Sequence, residues 1–487
     1  MSAHAGALSL NNLVGGEWVA GSLGQLESRN PADLDDVVAF VPAMSAEDAS
    51  AAIGAAAAAL PGWRATPSVE RGKILFRAAA IMRDRAEELV SLVVREMGKT
   101  VGEATIEVER SAEMLEFYAG VGRLPYGDLI PDRRPGVRAH TRHEPIGVVL
   151  AIAPWNDPIM VPCRKLAPAL ISGNTVVLKP SPDTPATSIV LAQILHEAGI
   201  PAGVVNTVTG DIEHVGDALV GDPRIAGVTF TGSTATGMYL KRALSDGLTR
   251  LQTEMGGKNT AVLMPDADID RALALLLPSV FGQTGQRCTA VSRLVVHESI
   301  EETVRERLVA LADEVVVGSG LASGTTMGPS VNERQASKVV DMIARASEEG
   351  AVIAAGGGRL SDGPYARGCF VQPTVLTGVT KEMGIWRQEV FGPVVALVRF
   401  SDLDEAIDLV NDTEYGLAAG IFTNDLAASA AFLDRVEAGQ VVVNLPPSGW
   451  DVHQPFGGFK ASGSPFKEHG LDGLSFYTRI KTVAQQA

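Results

Sequence analysis

The chain has 487 residues, 46% hydrophobic and 20% charged, which fills two or three globular cores and rules against a disordered or low-complexity chain. A formal net charge of -16 argues against a nucleic-acid partner, because phosphate recognition needs a surface excess of Lys and Arg. Its three cysteines, Cys163, Cys288 and Cys369, have no C-x-x-C spacing; this is no disulfide framework or cysteine metal site, and it implies a reducing compartment.

In chain order, the start MSAHAGALSLNNLVGG lacks the basic segment and apolar run of a leader, so a cytoplasmic protein is expected. Residues 45–60 predict a helix capped by Ser45, with Asp48 three positions on and Pro61-Gly62 as its stop. A longer helix is predicted from Pro67 to Met97, with Leu75, Ala79 and Met82 on one face and Gly98 beyond its end. The stretch 124–145 is rich in Pro and Arg and reads as an excursion toward a partner subunit. Strands at 146–153, 175–178, 204–208 and 227–230 then alternate with helices at 186–197, 213–220 and 234–244, the pattern of a parallel sheet with crossover helices. A second α/β stretch has strands at 261–263, 294–296 and 394–398 and helices near 268–281, 299–314 and 332–348. The apolar run 272–280 is too short to span a bilayer, so no membrane partner is expected. The tail ends in a strand-like segment, 476–483.

Chemistry-bearing residues stand at the ends of these elements. Cys288, in Gly285-Gln-Arg-Cys288-Thr, sits between a helix and a strand; Arg287 beside it suggests an electropositive, reactive thiol, although a lone cysteine is more often a small buried hydrophobe. Glu254, in Thr253-Glu-Met-Gly-Gly-Lys-Asn, is an apolar-flanked carboxylate suited to a general base, or else a surface residue before a turn. Asn156, in Pro154-Trp155-Asn156, ends a strand where an amide either donates to a developing oxyanion or caps the next helix. Lys179-Pro-Ser181 and Phe230-Thr-Gly232-Ser233-Thr-Ala-Thr-Gly237 end two further strands and together form a nucleotide cradle. Its spacing is Gly-x-x-x-x-Gly, not the Gly-x-Gly-x-x-Gly dinucleotide fingerprint.

These motifs, with Glu389-Val-Phe391-Gly-Pro and Pro455-Phe-Gly-Gly-Phe-Lys460, come in one order from about Gly15 to Val483, and the chain resembles the aldehyde dehydrogenase superfamily. The resemblance implies an α/β fold: a Rossmann-like cofactor domain (1–123 and 147–256), a catalytic domain (257–460) and a small β oligomerisation extension (124–146 and 461–487), with a homodimer or homotetramer as the assembly. It also implies that the tail strand pairs across subunits. It implies that the Cys288 thiolate attacks an aldehyde, Asn156 holds the oxyanion, hydride leaves for NAD or NADP, and Glu254 activates the water that hydrolyses the thioester. Glu468 would relay a proton to Glu254. Lys179, Ser181, Gly232, Ser233 and Gly237 would hold the nucleotide, with Trp155, Lys338, Glu389 and Phe391 at the nicotinamide side. NAD-preferring members often carry Glu three residues after the lysine; Pro182 stands there, and both cofactors remain open.

For the substrate, Arg164 lies eight residues after Asn156, where succinate-semialdehyde dehydrogenases bind a carboxylate; its second reading is an ion-paired helix residue. Their second arginine, six residues before the cysteine, is Gly282 here. The runs GQRCTAVSRLVV and VNLPPSGWDVHQPFGG resemble 2-oxoglutarate-semialdehyde dehydrogenases, which implies a small carboxylate-bearing semialdehyde with Arg164, Arg287, Trp155, Trp450 and Phe456 around it. Asp157, in place of a more usual Phe, would repel or reorient an anion. The alternatives are a CoA-acylating enzyme, disfavoured by the presence of Glu254, and a dehydrogenase of neutral or aromatic aldehydes.

Overall fold

The computed structural model describes residues 6–124 and 127–486. The first residues of the start and positions 125–126 of the predicted excursion lie outside the described residues.

Two sheets organise the chain. The first is built from β1 (Val148–Ile152), β2 (Thr175–Lys179), β3 (Val205–Thr207), β4 (Ile225–Thr231) and β5 (Arg250–Glu254), all parallel, in the order β3-β2-β1-β4-β5. Because helices cover both faces, β1 and β2 are near-continuous buried runs, VVLAI and TVVLK, as parallel strands require. The chain leaves β1 toward β2 and β3, then returns to β4 on the other side of β1. Ligands bind at such a reversal, beyond the carboxyl ends of the strands.

The second sheet contains β6 (Asn259–Leu263), β7 (Val291–His297), β8 (Val352–Ala355), β9 (Thr374–Thr377), β10 (Val394–Phe400), β11 (Ala418–Phe422) and β12 (Gln440–Val443), in the order β8-β9-β10-β7-β6-β11-β12. Only the β8–β9 pair is antiparallel. The junction between the sheets is the five-residue step from Glu254 to Asn259.

Several predicted elements shift. The first helix, Ala46–Ala65, keeps the Ser45/Asp48 capping box but runs through Pro61 for another turn, which brings Trp63 into the core. The predicted 67–97 helix is two, Ser68–Asp84 and Ala86–Met97, broken at Arg85 and closed at Gly98, whose φ of 93° suits a left-handed cap. Two helices shape the site: α1 (Val101–Val121), absent from the predicted elements, and α2 (Met160–Ile171), expected after Asn156 but without bounds. The tail strand Thr478–Gln486 pairs antiparallel with Val137–Pro145 of the same chain over nine residue pairs, which Leu129–Ile130 extends to a three-stranded sheet. The tail strand occupies an edge of that sheet.

Among the described residues no helix is long and apolar enough to cross a membrane.

Candidate active site

Cys288 lies on the wall of a cavity of ≈ 320 Å³ that is also lined by Asp157, Arg164, Trp450, Phe456 and His469. The loop carrying it follows α5 (Ile269–Val280) and contains three consecutive left-handed residues, Gln283 (φ 49°), Thr284 (φ 61°) and Gly285 (φ 66°). Non-glycine residues hold such angles only when the surroundings over-determine them. Here Gln283 N–H donates to Glu103 (2.6 Å), its amide donates to Asp157 (2.7 Å), and Thr284 Oγ1 donates to the Gly328 carbonyl (2.9 Å). From the other side, Asn259 Nδ2 donates to the Cys288 carbonyl (2.7 Å) and Gly257 passes so close that a Cβ would stand 2.9 Å from that oxygen.

The thiol is not the acidic one expected from its neighbour. Burial of the sulfur pushes it up to about 12; the charges of Asp157, Glu254 and Glu389 add to this and Arg164 opposes it. Arg287 is spent elsewhere: its guanidinium donates to Gln283 Oε1 and lies 3.8 Å from Glu103. It lines the cavity but leaves the sulfur's charge balance to Arg164.

Glu254, the last residue of β5, is buried, and neither carboxylate oxygen has a hydrogen-bond partner. Burial raises its carboxyl well above the ordinary range, and the nearby charge of Glu468 adds to it; Arg164, Lys165 and Lys467 pull the other way. Its Oε1 abuts Gly457, where any Cβ would collide, and the carboxyl is not part of the Cys288 cavity wall itself. Lys165 Nζ on α2 donates to Glu468 Oε1 (2.7 Å) and to Thr229 Oγ1 (3.0 Å), and Glu468 is locked to Phe456 by reciprocal backbone bonds of 2.6 and 2.7 Å. Glu254 and Glu468 thus share one buried electrostatic neighbourhood.

Asn156 follows β1 and is buried; its amide makes one long contact, 3.3 Å to Asp157 Oδ2. Asp157 is held as a structural anion, not a free repelling charge: it accepts from Lys99 Nζ (2.9 Å), which also binds Glu107, and its carboxyl lies below the usual range despite burial because Lys99, Gln283 and Arg287 stabilise the charge. Arg164 is buried on α2, with Cζ 4.9 Å from the Phe456 ring centroid and Nη1 3.5 Å from Glu468; its Nε–H is unpartnered. Trp450 and Phe456 line the same cavity. Trp155 does not: its ring stands edge-on to Phe391 at 5.2 Å, which places it on the cofactor side and away from the substrate wall.

Lys179, Ser181, Gly232 and Ser233, expected to hold the nucleotide, lie at the carboxyl ends of β2 and β4. Lys179 Nζ donates to the Pro180 and Gly210 carbonyls (3.1 and 3.0 Å), and burial brings its ammonium down to about 8. Ser181 bonds Asp183, and Pro182 is exposed. Ser233 caps α4 (Thr234–Ala243), its Oγ accepting from Thr236 N–H. A Cβ on Gly232 would lie 2.6 Å from the Phe230 ring, and one on Gly237 would strike Met255. These glycines keep α4 and its leading turn tight against β4 and β5, an open backbone cradle of the kind a diphosphate fills. Glu389 accepts from Gly257 N–H (3.0 Å), Lys338 Nζ lies 3.5 Å from the Glu389 carbonyl, and Phe391 holds φ 56°. The residues present fit a pyridine dinucleotide bound at the strand reversal. Among the described residues no group of three or more His, Cys, Asp or Glu is placed to hold a metal.

Sequence reading missed Lys99, Glu103, Glu107, Arg110, Lys165, Asn259, Gln283 and His469. The Thr100-x-x-Glu103 capping box marks the start of α1 and would have found the first four.

A parallel cofactor sheet whose strand ends converge on a clamped cysteine and a buried carboxylate defines a thiol-dependent dehydrogenase. The aldehyde dehydrogenase family model matches residues 18–483. The chain is 39% identical to an alpha-ketoglutaric semialdehyde dehydrogenase of Bacillus subtilis, covering 97% of each chain, and 41% identical to a phenylacetaldehyde dehydrogenase of Pseudomonas fluorescens, covering 97% of this chain and 95% of that one. The crystal structure of betaine aldehyde dehydrogenase from Staphylococcus aureus in complex with NAD+ superposes with a TM-score of 0.95 at 32% identity, covering 98% of this chain and 95% of that one. The chain belongs to the aldehyde dehydrogenase family. Its reaction is the oxidation of an aldehyde with NAD or NADP.

Replacing Gly256 with alanine provides a test of the Glu389 position. The added Cβ would occupy the space of the carboxylate and force it off Gly257 N–H. NAD+ affinity measured by titration is expected to fall by about tenfold, the worth of one charge-assisted hydrogen bond. An unchanged Kd would remove Glu389 from the cofactor contacts.

Proposed function

We propose that the enzyme oxidises a small aldehyde whose far end is a carboxylate, and that Arg164 receives that carboxylate. The observation that carries this reading is a buried arginine on the wall of the Cys288 cavity with an unpartnered Nε–H. A buried guanidinium with only one long carboxylate contact, 3.5 Å to Glu468, has charge left for an anionic ligand beside it. The B. subtilis relative supports the reading, since its name describes an acid-terminated semialdehyde.

In this reading the Cys288 sulfur adds to the aldehyde carbon as a base takes its proton, and the Asn156 amide and the Cys288 backbone N–H hold the resulting oxyanion. Lys179, Ser181, Gly232, Ser233, Gly237, Lys338, Glu389 and Phe391 would hold NAD or NADP, which would supply the hydride acceptor. Loss of hydride from the carbon leaves an acyl thioester on Cys288. Glu254 takes a proton from water, the water oxygen adds to the acyl carbon, and the C–S bond breaks to return the thiol and release the acid. The Glu468–Lys165 pair passes that proton on from Glu254. The presence of Glu254 as a base for water favours hydrolysis over transfer of the acyl group to CoA.

The remaining parts of the proposal are a split cofactor domain (1–123 and 147–256), a catalytic domain (257–460), an extension (124–146 and 461–487) that assembles a homodimer or homotetramer, and a cytoplasmic location.

The test is Arg164→Ala with 5-oxopentanoate and pentanal, aldehydes of equal length with and without the acid. KM for the acid is expected to rise at least about tenfold more than KM for pentanal, as loss of a buried charge-assisted contact implies. Equal effects would dismiss Arg164 as the anchor.

A further inference from the structure

The two oxyanion donors of the proposed reaction come from different elements: the Asn156 amide follows β1, and the Cys288 backbone N–H follows α5. An asparagine amide donates from one end only. Turned over, it sets an oxygen where the N–H stood, and a developing negative charge is repelled instead of held. What fixes the amide therefore matters as much as the amide itself.

Asn156 Nδ2 donates to Asp157 Oδ2 (3.3 Å). A carboxylate only accepts, so it keeps Nδ2 on its own side and leaves the second N–H of that amide to donate elsewhere. Asp157 can do this because it is itself held. Its Oδ1 accepts from Lys99 Nζ (2.9 Å), a buried ammonium just before α1 that also donates to Glu107 Oε2 (2.5 Å). The other oxygen of Glu107 accepts from the Ile159 and Met160 N–H groups (2.9 and 3.1 Å), which pins the turn from Asn156 into α2. One cation shared by two carboxylates leaves negative charge over, and neutral amides are suited to meet it.

The second such amide comes from the Cys288 loop. Gln283 Nε2 donates to Asp157 Oδ1 (2.7 Å) and lies 3.5 Å from the Asn156 carbonyl, while Gln283 Oε1 accepts from Arg287 Nε. Asp157 and Cys288 line the same cavity. One carboxylate thus bonds the Asn156 side chain with one oxygen and the loop of the nucleophile with the other.

We propose that Asp157 is a positioning residue for aldehyde oxidation: its carboxylate holds the Asn156 amide in the orientation whose remaining N–H donates to the aldehyde oxygen as sulfur adds. This rests on the reading of Asn156 as the oxyanion donor, and goes beyond it by naming the group that orients the amide. Asp157 exchanges no proton in this role and acts only through Asn156. Asp157→Asn keeps the size and one oxygen for Lys99 and Gln283, but faces Asn156 with an NH2 group. Two donors then oppose each other, and the Asn156 amide turns its oxygen toward residue 157.

The experiment measures kcat and KM for pentanal with NAD+ in the wild type, Asp157→Asn, Asn156→Ala and the double variant. Alongside it, the rate at which iodoacetamide alkylates Cys288 is followed by mass spectrometry. Asn156→Ala is expected to lower kcat about a hundredfold, the worth of one oxyanion donor. Asp157→Asn is expected to lower it at least about thirtyfold with KM changed less than about threefold. The double variant should lie within about threefold of Asn156→Ala, because two changes that remove one interaction do not add. Alkylation, which forms no oxyanion, should not slow. A kcat in Asp157→Asn within about threefold of wild type overturns the proposal, and so do losses that multiply in the double variant. Alkylation that slows as much as kcat also overturns it, since that marks a displaced loop. If Asp157→Asn does not fold, Asp157→Ala takes its place in the same cycle under the same limits. Asn156→Ala with kcat within about threefold of wild type sinks the oxyanion reading and this inference with it. A large loss in Asn156→Ala beside an unaffected Asp157→Asn sinks this inference alone.

Discussion

Cys288→Ala is expected to lower aldehyde oxidation by about a thousandfold or more while NAD+ still binds within about twofold of the wild-type Kd. The chemical half of this expectation rests on the sulfur being the only cysteine on the cavity wall: Cys163 and Cys369 are buried elsewhere. The binding half rests on the clamp. Asn259, Glu103, Asp157 and Gly328 hold the loop through the Cys288 carbonyl and through Gln283 and Thr284, so removing Sγ leaves those bonds in place. The Glu389–Gly257 contact and the turn at Gly232 and Ser233 do not involve the sulfur. Initial rates of absorbance rise at 340 nm and a nucleotide titration separate the two halves. Turnover within about tenfold of wild type would rule out the nucleophile, and loss of cofactor binding would show that the sulfur is part of the loop's support.

The motifs at strand ends were legible because each combines a short apolar run with residues that stop it. Pro154-Trp-Asn156 closes β1, Lys179-Pro closes β2, and Gly232-Ser233 turns β4 into α4. What escaped were segments whose burial is polar. β5 reads Arg-Leu-Gln-Thr-Glu, yet Gln252, Thr253 and Glu254 are buried. Gln252 is made compatible with the interior by Thr229, which donates to it (2.9 Å), and by the Lys467 carbonyl, to which it donates (2.9 Å). Those partners are distant in sequence, so no local pattern announces the strand. The bounds of α2 were hidden for a related reason: Pro162 and Pro168 interrupt its apolar pattern, and its two central cations, Arg164 and Lys165, are buried beside Glu468 from the tail. The same long-range logic reversed the reading of the thiol. Arg287 is adjacent to Cys288 in sequence but turns toward Gln283 and Glu103, while Arg164, more than a hundred residues away, is the cation that the sulfur feels.

Glu254→Gln is expected to separate the two halves of the reaction. In the proposed reaction, acyl-enzyme formation needs Cys288 and a hydride acceptor, and its release needs water activated by a carboxylate. With glutamine at 254, a burst of about one NADH per active site should be followed by a steady state slower by about a hundredfold or more, the usual worth of a general base. The pH dependence gives an independent check. Burial and the charge of Glu468 raise the Glu254 carboxyl well above its ordinary range, so the basic form is scarce at low pH and grows as pH rises through that raised value. Hydrolysis in the wild type should therefore climb with pH and then level, and in Glu254→Gln that limb should vanish, because an amide does not titrate there. The unpartnered state of both carboxylate oxygens is what makes this assignment specific: no ion pair has to be broken before water can be engaged. Lys467, the cation nearest in the tail, spends its Nζ on the Gly457 carbonyl instead. A burst that disappears along with the steady state would place Glu254 earlier, as the base that takes the Cys288 proton, and an unchanged steady state would remove it from catalysis.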